Sequence, residues 1–307
     1  MRAAVLEGPG KTPTVRDFDE PDGPDTELVD IRLAGCNPVD LALASGAMGE
    51  PLTPSVVGKE GVGTTNDGRR VYFDSPPEPF GSWAQRCRIA PALTFPVPDG
   101  VDDDLAVALG IAGLAAWLPL TRHADVSDGE TVLVLGATGV VGRIAVQAAR
   151  LLGAGRVVGA GRDPDALEQV RDLGADAVVR LGQDDDAEAL TNEAGEGYDV
   201  VIDMVYGDPF LAALDASAVG ATLITVGQGA GATADVPFAK LMGRTHVGHN
   251  NNMMGADVMR AGYGELTKHA ADGRIRVEVE RYPLDDAPRA WEAQADSPHH
   301  KIAIETS

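Results

Sequence analysis

Cysteine, lysine and aromatic residues are all scarce in this 307-residue chain, and the first two scarcities bear on what it can bind. The two cysteines, Cys36 and Cys87, cannot form a four-thiolate zinc site. Their number does not suggest a disulfide framework, and both are expected as ordinary buried thiols. Lysine occurs five times, at positions 11, 59, 240, 268 and 301, and acidic residues outnumber basic ones 47 to 25. The resulting formal charge of −22 repels nucleic-acid phosphates and anionic membranes, so neither is expected as a partner. Aromatic residues make up 5% of the chain. No apolar run approaches the ~18 residues that cross a bilayer. The N-terminal MRAAVLEGPGK lacks the apolar stretch of a signal peptide, which points to the cytoplasm.

Hydrophobic residues are plentiful at 44%, and the length suits two domains. The first third has short alternating runs between turn residues: Glu27 to Leu33, Arg70 to Phe73 and Ala84 to Ile89. These predict an antiparallel, β-rich domain. From Asp104 to Leu120 the chain turns apolar with helical spacing, and strands then alternate with helices. The spacing predicts strands at Thr131 to Leu135, Arg156 to Ala160, Ala177 to Leu181, Asp199 to Val205 and Ala221 to Val226. Helices are expected between them, the first over Val140 to Leu152. This alternation is that of a doubly wound parallel sheet. The tail predicts a helix over Ala256 to Ala271, a strand over Arg276 to Glu280, a helix over Asp286 to Ala295 and a strand over Lys301 to Glu305. The acidic triplets Asp102 to Asp104 and Asp184 to Asp186 read as turns or helix starts.

The most informative segment is TVLVLGATGVVGRIAVQAARLLGA. Gly136, Ala137, Thr138, Gly139, Val140, Val141 and Gly142 form a glycine-rich turn between a strand and a helix. That is the context a dinucleotide fingerprint requires. Gly136 permits the sharp turn, Gly139 lets the backbone approach a pyrophosphate, and Gly142 lets helix and strand pack closely. The second strand leads into Gly161 and Arg162, with no acidic residue at its tip to hold ribose hydroxyls. Arg162 suits a 2′-phosphate, so NADPH is expected rather than NADH.

With these residues in hand, the sequence resembles the medium-chain dehydrogenase/reductase superfamily, close to its quinone oxidoreductase branch. AGCNPVDLALASG resembles the family's G-x-N-P-x-D segment, and PSVVGKEGVGTT its Gly-x-Glu-x-x-Gly segment. GSWAQRCRIAPALTFPVPDG, GLAAWLPL and GATGVVG follow in the family's order. The resemblance implies an α/β protein with a GroES-like β-rich catalytic domain and a Rossmann domain inserted in it. The expected bounds are 1–111 and 248–307 for the first, and 112–247 for the second. It also implies a cofactor wall at Val205, Tyr206, Val226, Gly227 and Asn250. A homodimer is implied too, joined at the sheet edge that Thr222 to Val226 would form.

Zinc-dependent members of the family carry a thiolate where this chain has Asn37 and an imidazole where it has Lys59. No metal site is therefore expected. Without a Lewis acid to polarise a simple ketone, activated acceptors remain: quinones, or alkenes conjugated to a carbonyl. Asn37 is a candidate oxyanion donor, Lys59 a candidate source of charge or a proton, and Asp40 a residue that orients its loop or a cofactor hydroxyl. The family's enoyl thioester reductases have a tyrosine after the N-P-x-D segment; Ser45 to Gly49 contains none. The family threonine of G-L-T-A is Ala115 here. A non-catalytic NADPH-binding sensor or scaffold is the alternative reading.

Overall fold

The computed structural model describes residues 1–23 and 26–306. The chain divides into two compact units, residues 1–112 with 256–307, and residues 113–255.

The first unit is built on a seven-stranded sheet and a three-stranded one. The long strand Glu27–Cys36 lies at the centre of the larger sheet. Antiparallel to it run Lys301–Glu305 on one side and Glu60–Thr65 on the other, while Arg86–Ile89 pairs with its first residues. Arg70–Asp74 and Thr94–Pro96 continue the sheet beyond Glu60–Thr65. The strands place Val29, Ile31, Phe73, Cys87, Ile302 and Ile304 in one core cluster, where Trp83 and Trp291 meet edge to face. Both cysteines are buried and unpaired. The edge strand of the tail is displaced from its expected place: it spans Val279–Pro283, not Arg276 to Glu280. It has a single neighbour, Lys301–Glu305, and that parallel register sets its bounds rather than its own weak pattern of apolar residues.

The second unit is an all-parallel six-stranded sheet. Its strands are β1 (Thr131–Leu135), β2 (Arg156–Gly161), β3 (Ala177–Arg180), β4 (Tyr198–Asp203), β5 (Ser217–Thr225) and β6 (Thr245–Gly248). Their spatial order is 3-2-1-4-5-6, the doubly wound Rossmann arrangement. β1 and β2 are buried almost throughout, as strands covered on both faces must be. The sequence reading missed β6, so Thr222 to Val226 is not an edge: β5 lies between β4 and β6. Both acidic triplets start helices. Asp102 accepts a hydrogen bond from the Leu105 amide, and Asp185 accepts one from the Glu188 amide. No helix among the described residues is long and apolar enough to cross a membrane.

Candidate cofactor and active sites

Because all six strands of the second unit are parallel, their carboxyl ends share one edge. There the sheet order reverses between β2 and β4, on either side of β1. Ligands of open α/β sheets bind at such a switch point. The glycine turn leaves β1 at this edge. The Gly136 and Ala137 amides both donate to the Ala160 carbonyl of β2, at 2.9 Å. Gly136 has φ +78°, a left-handed conformation that favours glycine. A Cβ on Gly142 would stand 2.3 Å from the Gly136 carbonyl oxygen and 2.6 Å from Ala137 Cα, so helix and turn touch through their backbones. Gly139 differs. A Cβ there would meet its nearest protein atom only at 3.7 Å, so nothing inside the unit requires glycine. Gly139 is the N-cap of the helix Val140–Leu151 and provides no side-chain cap, whereas Asp163 and Asp185 cap the two helices that follow. The N-cap residue leaves the first amides of this helix without a capping side chain, which suits a phosphate.

Gly161 ends β2 and packs closely on Thr138, while Arg162 is exposed just beyond it. Asp163 lies one position farther, but its carboxylate accepts from the Ala166 amide at 2.9 Å as a helix cap. The next strand ends complete the edge. Buried Asp203 accepts from the Val205 and Tyr206 amides at 2.8 and 2.9 Å, which holds Tyr206 at φ +53°. Burial pushes the Asp203 carboxyl up from its ordinary range, and these amides pull it back. The Val226 amide donates to the Asp203 carbonyl at 2.7 Å, with the Gly227 amide at 3.3 Å. The Asn250 side chain closes its own turn, accepting from the Asn252 amide. The buried side chain beside it is His249, which the sequence reading passed over.

In the first unit, Asn37, Glu60 and Lys301 meet because three adjacent strands bring them to one level. Ile302 pairs with Cys36, and Ala34 pairs with Gly61. Gly35 leaves the room they need: a Cβ there would lie 2.4 Å from Glu60 Oε1. Glu60 Oε1 accepts from Lys301 Nζ at 2.6 Å and from Asn37 Nδ2 at 2.7 Å. Glu60 Oε2 accepts from the Tyr72 hydroxyl at 2.9 Å and the Ile111 amide at 2.6 Å. Lys301 Nζ also donates to Asn37 Oδ1 at 2.7 Å. The Asn37 amide is thus engaged at both ends by the protein. Lys59 lies apart from this cluster and donates to Ser75 Oγ, which donates to Asp74. Asp40 accepts from the Asn37 backbone amide at 2.8 Å through Oδ2, closing the start of the helix Pro38–Ser45.

Residues 140–267 match the family model described as zinc-binding dehydrogenase. Over 99% of its length the chain is 29% identical to part of a phenolphthiocerol/phthiocerol polyketide synthase of Mycobacterium tuberculosis, but spans 15% of that much longer polypeptide. A quinone oxidoreductase of Pseudomonas aeruginosa is 27% identical over 87% of both chains. The structure of the mycobacterial protein Rv1454c complexed with NADPH superposes with a TM-score of 0.89, at 27% identity over 99% of each chain. The sequence and fold of this chain match those of the medium-chain dehydrogenase/reductase superfamily, on its quinone oxidoreductase-like branch. Its first unit is the GroES-like part of that fold and its second the Rossmann part.

At the two positions where zinc-dependent members of the superfamily carry ligands, this chain presents an amide and an ammonium, both already hydrogen-bonded. That donor set does not fit a zinc ion. Among the described residues, no group of three or more His, Cys, Asp or Glu side chains could hold a metal.

Asp40 has a property the motif alone does not reveal. Its Oδ1 is buried with no hydrogen-bond partner, and burial raises its carboxyl to about 7. A carboxyl raised on folding holds its proton better when folded than when unfolded. Its contribution to stability is therefore full below about pH 4 and is lost as pH rises through about 7. Asp40→Asn removes this titration. Relative to that variant, the wild type should lose roughly 2–4 kcal/mol between pH 4 and 8, since a tenfold change in proton affinity is worth about 1.4 kcal/mol. Denaturation midpoints of both proteins across that range check it; parallel curves would mean that Asp40 is ionised throughout.

Proposed function

We propose that this protein is a zinc-independent, NADPH-dependent oxidoreductase that reduces quinones or α,β-unsaturated carbonyl compounds. The observation that carries the cofactor reading is the carboxyl edge of the Rossmann sheet. An uncapped helix start follows an open glycine turn, Arg162 stands just beyond the tip of β2, and the adjoining Asp163 caps a helix. The related structure in complex with NADPH supports it. Gly136 to Gly142 would receive the pyrophosphate, and Gly161 with Arg162 the 2′-phosphate. Val205, Tyr206, Val226, Gly227 and Asn250 would line the other half. Bound NADPH would supply a hydride. Asn37 and Lys59 remain the first unit's candidates for meeting the charge that develops on the acceptor oxygen; the second hydrogen of the Asn37 amide is the one available for this. Activated acceptors suit a site whose donor set does not hold zinc.

Arg162→Ala should raise the Kd for NADPH by about 10–100-fold, the worth of roughly 1.5–3 kcal/mol in hydrogen bonds to a charged group. The Kd for NADH should stay within about twofold. Fluorescence titration of both cofactors checks this, and equal losses would remove the 2′-phosphate assignment. NADPH consumption with a panel of quinones and enones, chelator present, tests the reaction itself. One observation favours the alternative of a non-catalytic NADPH sensor: the Asn37 and Lys59 side chains are both tied into the protein. Tight NADPH binding without turnover on any acceptor would select that reading.

A further inference from the structure

His123 and His249 are 126 residues apart in sequence and meet within the Rossmann unit, with His123 Nε2 3.1 Å from His249 Nδ1. His249 follows the last residue of β6, and its amide donates to the Thr225 carbonyl at the end of β5, 2.8 Å away. His249 Nε2 lies 2.9 Å from Asn251 Oδ1. The chain of bonds fixes the tautomers. An amide oxygen can only accept, so His249 carries its hydrogen on Nε2 and its Nδ1 must accept. His123 then donates from Nε2, and its Nδ1 is the nitrogen left to take up and release a proton. His249 is buried, and desolvation holds it below the ordinary histidine range, favouring the neutral, accepting form. His123 is half-buried on a π-helical turn, Pro119–Ala124, which packs on β4 and β5. Such turns often mark functional positions.

The strand order places this pair relative to the proposed cofactor, and the inference rests on that NADPH reading. With the 2′-phosphate at β2 and the pyrophosphate at β1, the rest of an extended dinucleotide must run the other way, over β4 and β5. At about 4.8 Å per strand, the end of β5 lies roughly 10 Å from the glycine turn. The His249 backbone is bonded at that end. We propose that His123, oriented by His249 and Asn251, donates the proton that the acceptor takes up with each hydride. The acceptor gains two electrons and one hydrogen at carbon from the cofactor. Its oxygen gains the proton from His123 Nδ1, and His123 is reprotonated from solvent. His249 and Asn251 are positioning residues.

Other ionisable groups lie on the same segment and on the strands packed against it. Arg122 and Asp125 flank His123 on its own segment. Asp203 at the end of β4 is engaged by the Val205 and Tyr206 amides and Thr225, and His246 on β6 is bonded to Thr225 Oγ1. Among the described residues, His123 is the ionisable group that acts electrostatically on His249.

The test uses the full-length protein and His123→Gln, His249→Gln and, as a control, His246→Gln. His123→Gln should lower kcat at least ~100-fold, the lower end of what lost general acid catalysis costs, with the NADPH Kd within about twofold. The pH profile of kcat should change in His123→Gln and in His249→Gln. Added imidazole should restore part of the activity of His123→Gln. Independently of turnover, NMR should show the His123 and His249 ring resonances both shifting on addition of NADPH, while His246→Gln leaves them unchanged. A His123→Gln enzyme with wild-type kcat and pH profile overturns the proposal. Ring resonances unmoved by NADPH overturn the placement of the pair. A wild type that binds NADPH and shifts these resonances but reduces no acceptor overturns the reductase reading, and with it the use of the proton.

Discussion

Lys301→Met should unfold the first unit about 3–5 kcal/mol more easily than the wild type, the cost of stranding one partner of a buried ion pair. Both members of the pair are shut off from water, Glu60 at 0% and Lys301 at 1% exposure. The pair persists because the carboxylate is fully met: Lys301, Asn37, Tyr72 and the Ile111 amide divide its two oxygens between them. Methionine fills the volume but leaves Glu60 Oε1 with the Asn37 amide alone, and Asn37 Oδ1 with nothing from this cluster. Guanidinium denaturation followed by tryptophan fluorescence reads the effect, because Trp83 and Trp291 both pack in the core of this unit. The double variant Glu60→Gln/Lys301→Met should recover a large part of the loss, since it removes the stranded charge. A single variant with an unchanged midpoint would mean that the ammonium is not buried against Glu60.

Gly139→Val should abolish measurable binding of both NADPH and NADH, raising each Kd by at least ~100-fold, while the protein stays folded. The backbone of Gly139 has φ −76° and ψ 169°, extended values that any residue adopts. A Cβ there would meet no protein atom closer than 3.7 Å. Valine therefore costs the fold little, about 1 kcal/mol or less for a changed helix cap. It instead fills the space through which a pyrophosphate would reach the first amides of the helix. Gly142→Ala makes the contrast. Its Cβ would collide with the backbone of Gly136 and Ala137, so the second unit should lose roughly 1–3 kcal/mol whether or not cofactor is present. Thermal melts and fluorescence titrations of the two variants separate the effects. Undiminished cofactor binding by Gly139→Val would place the pyrophosphate elsewhere.

The glycine-rich turn was readable from sequence because everything that defines it is local. Strand, glycines and helix run consecutively from Thr131 to Leu151, and an apolar run followed by helical spacing needs no distant partner to be recognised. β6 escaped notice for the opposite reason. Thr245–Gly248 is four residues long, mostly exposed and without an apolar run, and it is a strand because β5 offers it a parallel ladder. Val279–Pro283 was misplaced on the same physical ground, since an edge strand takes its bounds from its neighbour. Asp163 adjoins Arg162 in the sequence, and only the fold shows that its carboxylate caps a helix.

The sequence by itself determined the class of fold and the glycine-rich turn and carried the likeness to the superfamily, because periodicity, glycine spacing and motif order are properties of consecutive residues. Tertiary structure alone decided which polar groups face one another. Glu60 and Lys301 are 241 residues apart, and His123 and His249 are 126 apart. A lysine by its type belongs at the surface, and Lys301 lies inside because a carboxylate waits there. No local pattern encodes that meeting: the register of three strands creates it, and the absence of a side chain at Gly35 leaves room for it.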